Sequence, residues 1–145
     1  MTANVLSRTR RTIGASKRNG EVLGYTLWFV QGVLALLFLY TGGTKLILPL
    51  SLLTAQTPVP LPGLFIRFLG IVEVLGAIGL ILPGLLHIRV GLTPLAAAGL
   101  VLIMAGATVL TLVSGGGAMA LFPFVVGSLA TFVAYGRWRL RPLSN

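Results

Sequence analysis

The sequence predicts an all-α integral membrane protein, a polytopic antiparallel bundle of four transmembrane helices. The apolar residues fall into four blocks, each near the roughly 20 residues that a helix needs to cross a bilayer. In addition, 56% of the 145 residues are hydrophobic and only 9% are charged, whereas soluble domains average about 25% charged residues. Such a composition cannot cover a water-soluble globule, so we expect one membrane domain.

The first apolar block follows a polar N-terminal segment. Residues 1–20 are rich in Ser and Thr, and we expect a disordered cytoplasmic tail or a segment lying on anionic headgroups. The first span is predicted over about residues 25–48, with Tyr25 and Trp28 as interfacial aromatics. The basic residues of the tail are Arg8, Arg10, Arg11, Lys17 and Arg18.

We expect the membrane domain over residues 21–141. Prolines and glycines between the apolar blocks predict where its other spans begin and end. The further spans are predicted at about residues 64–82, 93–113 and 119–135, followed by a tail at 142–145.

The connections between these spans have their own signals. Three prolines, Pro58, Pro60 and Pro62, favour a stiff extended connection over residues 51–63. Pro83-Gly84 is expected to end the second span. Thr93-Pro94 is a start signal for the third span, with Thr93 as the cap.

The distribution of basic residues predicts the orientation. They lie in the N-terminal tail, at Arg89 between the second and third spans, and at three arginines after the fourth span, Arg137, Arg139 and Arg141. The other two loops carry no charge. Both termini and the middle loop are therefore predicted to be cytoplasmic.

Two basic residues near the outer ends of their helices, Lys45 and Arg67, do not fit that topology signal. Glu73 lies about 13 Å below the start of the second span at helical rise, and an acid at that depth requires a partner. We predict a buried polar site in the outer half of the bundle, with a Lys45–Glu73 ion pair between the first two helices. Arg67 is expected to reach the headgroups or to cap this site. Gln31 lies on the same predicted helical face as Lys45 and is assigned to the site as a donor to a carbonyl or carboxylate.

The ion pair has two interpretations, which the residues leave open. It can lock the register of two helices, or Glu73 can form a proton or ligand site. Small residues are expected to mark the helix contacts. These helix-packing residues are Gly42, Gly70, Gly76, Gly99, Gly106 and Gly127.

Several classes of function are disfavoured. The absence of cysteine excludes disulfides and thiolate metal sites. His87 has no second histidine or cysteine beside it, so neither a catalytic residue nor a metal site is predicted. Although the net charge is +9, no basic face with interleaved aromatics remains outside the spans, so nucleic acid is not an expected partner.

The sequence also resembles a known family. Residues 42–46, GGTKL, are similar to the Gly-x-x-Lys-Leu end of the first helix in DoxX-like membrane proteins. Residues 73–83, EVLGAIGLILP, resemble the second-helix signature of that family, and residues 93–107, TPLAAAGLVLIMAGA, resemble its third helix. Residues 132–137, FVAYGR, resemble the end of its fourth helix.

The resemblance implies four helices in the bacterial cytoplasmic (inner) membrane. The family takes its name from a subunit of a thiosulfate:quinone oxidoreductase, and some members are linked to redox or oxidative-stress systems. Lys45 and Glu73 match motif positions of the family. Thr111 stands where many members have a histidine, so any quinone or redox chemistry of that histidine would be missing here.

We therefore hypothesise a non-catalytic accessory subunit of a quinone- or redox-linked membrane system. It would sit in the lipid bilayer and dock a quinone, the one cofactor considered, or a redox partner protein, or form a homo-oligomer. One alternative is a small proton-coupled exporter working as a dimer, in which Glu73 is alternately protonated and substrate-bound. Known small multidrug exporters carry their acid in the first span, not the second. The other alternative is a purely structural membrane protein.

Overall fold

The computed structural model describes residues 1–57 and 59–144. Pro58, part of the expected loop, and Asn145, part of the expected tail, lie outside these residues. Within the described residues every regular element is a helix. The elements are α1 (Thr2–Ile47), α2 (Leu50–Ala55), α3 (Gly63–Leu86), α4 (Leu92–Val113), a 3₁₀ turn (Gly117–Ala120), α5 (Leu121–Tyr135) and a π-helical turn (Gly136–Leu140).

Four helical segments in the described chain are long and apolar enough to cross a membrane: α1, α3, α4 and the continuous segment Gly117–Leu140. The predicted all-α class is thus confirmed, and the described chain contains four apolar helical segments suitable for spanning a membrane, the number that was expected. Large apolar side chains stay exposed along these segments, among them Phe29, Leu36 and Leu102. Because an apolar surface of this extent is unfavourable in water, a lipid bilayer is its fitting environment.

Helix α1 differs from the expected disordered tail and separate span. It is one helix of 46 residues, about 69 Å long at 1.5 Å per residue, and residues 2–19 are exposed on all sides. The first proline of the chain is Pro49, so nothing breaks a helix that is nucleated in the apolar span and propagates towards the N-terminus. The polar segment therefore continues the first span as helix.

The connection between α1 and α3 is not extended throughout. Pro49 serves as the N-cap residue of the short helix α2, whose Leu53 is buried. Because the prolines of this connection are concentrated beyond residue 57, the apolar segment before them is free to form helical turns. The prediction of a stiff extended loop over residues 51–63 was wrong for its first half.

The ends of α3 and α4 also differ from the expected boundaries. Pro83 lies inside α3, which continues to Leu86 and ends at His87 in the left-handed conformation (φ 53°). Proline removes one helical hydrogen bond, but Pro83 is buried, and its carbonyl accepts a bond from the Ile88 N–H at 3.1 Å. Helix α4 begins at Leu92, so Thr93 lies inside it and does not cap it.

The long helices form a ring in chain order: α1 packs against α3, α3 against α4, α4 against α5, and α5 against α1. Buried residues recur at steps of four and three along each helix, the spacing of helices that pack face to face in bundles. In α3 this series runs through Ile66, Gly70, Glu73, Ala77, Leu80 and Pro83. In α1 they are Leu27, Gln31, Leu34, Phe38 and Gly42.

Glycines permit the closest approaches between these helices. A Cβ atom on Gly42 would lie 2.8 Å from the carbonyl oxygen of Gly70, and one on Gly76 would lie 2.7 Å from Leu100. Gly127 approaches Met104 in the same way, at 3.0 Å. These three glycines lie at contacts between helices.

Gly99 and Gly106 do not have the predicted packing role within one chain. A Cβ atom at either position would meet no atom of the described chain within 4 Å. Both residues lie on parts of α4 that other helices leave open. Gly79, which was not assigned a packing role, approaches α4 instead, since a Cβ atom added there would lie 2.7 Å from the Cβ of Ala96.

Replacement of Gly42 by Ala is expected to destabilise the fold by about 1–3 kcal/mol, because the added methyl group would overlap a backbone carbonyl that cannot move aside. The helical preference of alanine offsets this by about 1 kcal/mol at most. The matched control is Gly106→Ala, which adds the same group in open space. Thermal unfolding in detergent measures both variants, and equal midpoints would contradict the tight α1–α3 contact.

Candidate functional site

The first buried polar cluster lies between α1 and α3. Lys45 comes from the last turn of α1, and its Nζ atom lies 2.7 Å from both Oε1 and Oε2 of Glu73. The Glu73 side chain is 2% exposed and that of Lys45 is 28% exposed. The structure therefore brings together the two residues for which an interhelical ion pair was predicted.

Small residues on both helices make this contact possible. A Cβ atom on Gly70 would lie 2.8 Å from the Cβ of Lys45 and 3.0 Å from the carbonyl oxygen of Gly42. The backbones are therefore close enough for the lysine stem to lie along α3 and deliver its ammonium to the carboxylate. A buried charge is tolerated when a partner of opposite sign bonds to it directly, and here both carboxylate oxygens have that partner.

Arg67 lies beside this ion pair and bonds to backbone. Its Nη1 donates to the carbonyls of Leu46 and, at 3.4 Å, Lys45, and its Nη2 donates to the carbonyl of Leu48 at 3.2 Å. Carbonyls at the C-terminal end of a helix lack partners within the helix and carry its negative dipole end. Arg67 thus caps α1 and ties its end to α3.

Gln31 does not join Lys45 and Glu73, so its assignment to that site was wrong. It is fully buried, but 14 residues separate it from Lys45, about 21 Å along α1. Its Nε2 donates to the carbonyl of Leu80 at 2.5 Å, and its Oε1 accepts a bond from Nε of Arg137, also at 2.5 Å. Gln31 and Lys45 lie on the same side of α1 but at different positions along its axis.

Arg137 and Trp28 complete a second polar cluster around Gln31 that sequence reasoning missed. Arg137 is 5% exposed, and its guanidinium carbon lies 5.1 Å from the ring centroid of Trp28, within the range of a cation–π contact. Trp28 was expected only as an interfacial aromatic, and Arg137 only as a topology signal. A signal was present, since the buried residues of α5, Val126, Ala130 and Val133, lead to Arg137 at the same steps of four and three.

Other candidate residues are spread over the fold. His87 is exposed at the end of α3, and the described residues hold no group of three His, Cys, Asp or Glu side chains that could bind a metal ion. Thr111 donates its hydroxyl to the carbonyl of Ala107 in its own helix at 2.8 Å.

The fold and its two buried polar clusters define a polytopic helical membrane protein. A model of the DoxX-like family matches residues 29–133, which is most of the chain, and the protein therefore belongs to the DoxX-like family. The family resemblance found in the sequence is confirmed. The matched range includes Gln31, Lys45 and Glu73 but ends before Arg137. Searches of curated proteins and of solved structures find no match.

Replacement of Lys45 by Met is expected to lower the free energy of unfolding by about 3–5 kcal/mol, because it leaves the carboxylate of Glu73 buried without a partner. The double change Lys45→Met with Glu73→Leu removes both charges and should recover most of that loss. Unfolding titrations in mixed micelles measure both variants.

The matched control is Lys17→Met, which removes a lysine from the exposed part of α1. A double variant that is no more stable than Lys45→Met alone would contradict the pairing.

Proposed function

We propose that the protein is a non-catalytic accessory subunit of a quinone- or redox-linked system in the bacterial cytoplasmic membrane. The ion pair between Lys45 and Glu73 supports the inference that the protein is not catalytic. Both oxygens of the carboxylate accept hydrogen bonds from the same ammonium, so the charge of Glu73 is neutralised within the chain, which favours a structural role over a catalytic one. The redox part is inferred from membership of the DoxX-like family, whose namesake is a subunit of a quinone-reducing enzyme.

The same geometry weakens the case for a proton-coupled exporter. In such a transporter Glu73 would have to exchange Lys45 for a substrate and a proton in every cycle. The α1–α3 contact around Glu73 leaves little space for this, since even a Cβ atom on Gly42 would lie 3.0 Å from the Cβ of Glu73. Arg67 further ties the end of α1 to α3. These contacts favour a pair that fixes the register of the two helices.

An open groove on the other side of α3 offers a place for a quinone or a partner helix. Val72, Gly76 and Gly79 line it from α3, and Ala96 and Gly99 line it from α4. The rest of the lining is leucine. A flat apolar ring, or a helix from another subunit, can therefore pack on the leucines and approach the backbone closely at the glycines. A Cβ atom added to Gly99 would meet no atom of the described chain within 4 Å, so there is room beside it for an external group.

A photoreactive quinone analogue is expected to label this groove in membranes that contain the protein, and unlabelled quinone should compete. Gly99→Leu fills the groove and should reduce labelling to background. The matched control, Gly106→Leu, adds the same side chain to open space on the same helix and should leave labelling unchanged.

No competed labelling of the wild-type protein would contradict quinone binding. Equal labelling of the Gly99→Leu variant would contradict the groove. Copurification of a partner protein that is lost with Gly99→Leu, in the absence of quinone labelling, would assign the groove to a partner helix instead.

We also propose that both termini and the α3–α4 turn face the cytoplasm, because the basic residues outside Lys45 and Arg67 are concentrated there. Alkaline phosphatase inserted after Thr57 is expected to be active, since that connection would lie outside. The same reporter after Ser144 should be inactive, and a fluorescent protein at that position should fluoresce. The reverse pattern would refute this orientation.

A further inference from the structure

Arg137 is a charged residue whose buried hydrogen-bond donors are not all satisfied within the described chain. Arg137 is only 5% exposed. Among the described residues its side chain donates one hydrogen bond, from Nε to the neutral amide of Gln31. Its Nη2 atom is buried and has no hydrogen-bond partner among the described residues. A buried guanidinium is stable when an anion accepts its hydrogen bonds, and Gln31 and Trp28 supply only partial negative charge.

Neither glutamate of the chain, Glu73 or Glu21, forms an ion pair with Arg137 among the described residues. Glu73 is bonded to Lys45 in the other polar cluster. Glu21 lines the cavity beside Arg137, yet the ion pair found among the described residues within 4.0 Å is that of Lys45 and Glu73. The charge of Arg137 therefore has no anionic acceptor among the described residues.

Open space adjoins Arg137 on two sides. One cavity, of about 320 Å³, is lined by Tyr25, Trp28 and Arg141 as well as Arg137, and lies at the lower end of the size range of ligand pockets. A second is lined by Val90, Pro94, Trp138 and Arg137. Pro142 and Leu143 border both cavities, so each has a basic side and an apolar side.

This combination matches one class of ligand. Interfacial aromatics such as Tyr25, Trp28 and Trp138 lie at the level of lipid headgroups, and guanidinium groups bind phosphate oxygens in a planar, two-pronged geometry. Arg141 adds a second guanidinium to the same cavity, where its Nε bonds the carbonyl of Gly20 at 2.9 Å. A quinone carries no charge and would leave Arg137 uncompensated.

We infer that Arg137 and Arg141 bind the phosphate of an anionic phospholipid headgroup, with the glycerol and acyl region against the apolar wall formed by Leu143 and its neighbours. Basic pockets between helices at the membrane interface bind such lipids. This inference goes beyond the proposed redox role and does not depend on it. Glu21 lies in the same cavity, so the headgroup is expected on the arginine side.

Lipid binding by the purified full-length protein in neutral detergent tests the inference, with titration of phosphatidylglycerol against phosphatidylcholine followed by native mass spectrometry. The wild-type protein should prefer phosphatidylglycerol. Arg137→Gln should weaken its binding about tenfold, the loss expected for one charge-assisted hydrogen bond. The matched control is Arg139→Gln, which removes the same charge from an exposed position in the same turn and should leave binding within about twofold.

Two further variants keep the test decisive if Arg137→Gln does not fold. Arg137→Lys retains the charge but loses the planar geometry, and Arg141→Gln removes the second guanidinium from an exposed position; each should weaken binding more than Arg139→Gln does. Equal losses in all arginine variants, or equal binding of the two lipids by the wild type, would overturn the inference. Arg137-dependent binding of inorganic phosphate without a preference for phosphatidylglycerol would assign the site to free anions and would overturn the lipid assignment.

Discussion

The contact between α1 and α3 is the interaction on which the rest of this membrane domain depends. Without a hydrophobic driving force inside lipid, helices associate through close packing and polar bonds. Gly42 and Gly70 bring the two backbones together, and only at that distance can Lys45 bond both oxygens of Glu73. The ion pair in turn stabilises the contact, because the carboxylate of Glu73, only 2% exposed, is not tolerated without a partner. Packing and electrostatics therefore specify the same register of the two helices.

Much of this arrangement could be predicted from the sequence because lipid restricts the alternatives. A chain with four apolar blocks in a bilayer must satisfy its backbone hydrogen bonds within each block, which leaves helices. Because an unpaired carboxylate is energetically unfavourable in lipid, Glu73 likewise required a partner. Lys45 was a candidate because its position does not fit the distribution of basic residues that predicts the topology. The pairing follows from these constraints without reference to the details of packing.

The elements that sequence reasoning did not predict depend on the packing of particular side chains. Pro83 and Thr93 are ordinary boundary signals, but packing contacts allow the helices to extend past them. Gln31 shares a helical face with Lys45, and helical periodicity gives direction around the axis without saying which neighbour lies at that depth. Arg137 was assigned to topology because arginines after a span commonly have that role. Its burial follows from the spacing of α5, which carries the buried face beyond Tyr135 into the π-helical turn.

The two polar clusters differ in how far their hydrogen bonding is satisfied, and this difference separates their roles. Both carboxylate oxygens of Glu73 accept hydrogen bonds from Lys45, so the charge of Glu73 is paired within the chain. Arg137 bonds one amide and one aromatic face and still has a buried nitrogen without a partner among the described residues. A buried polar group that the chain does not satisfy is costly unless something else satisfies it. We therefore expect interactions with other molecules at the cluster around Arg137 more than at Glu73.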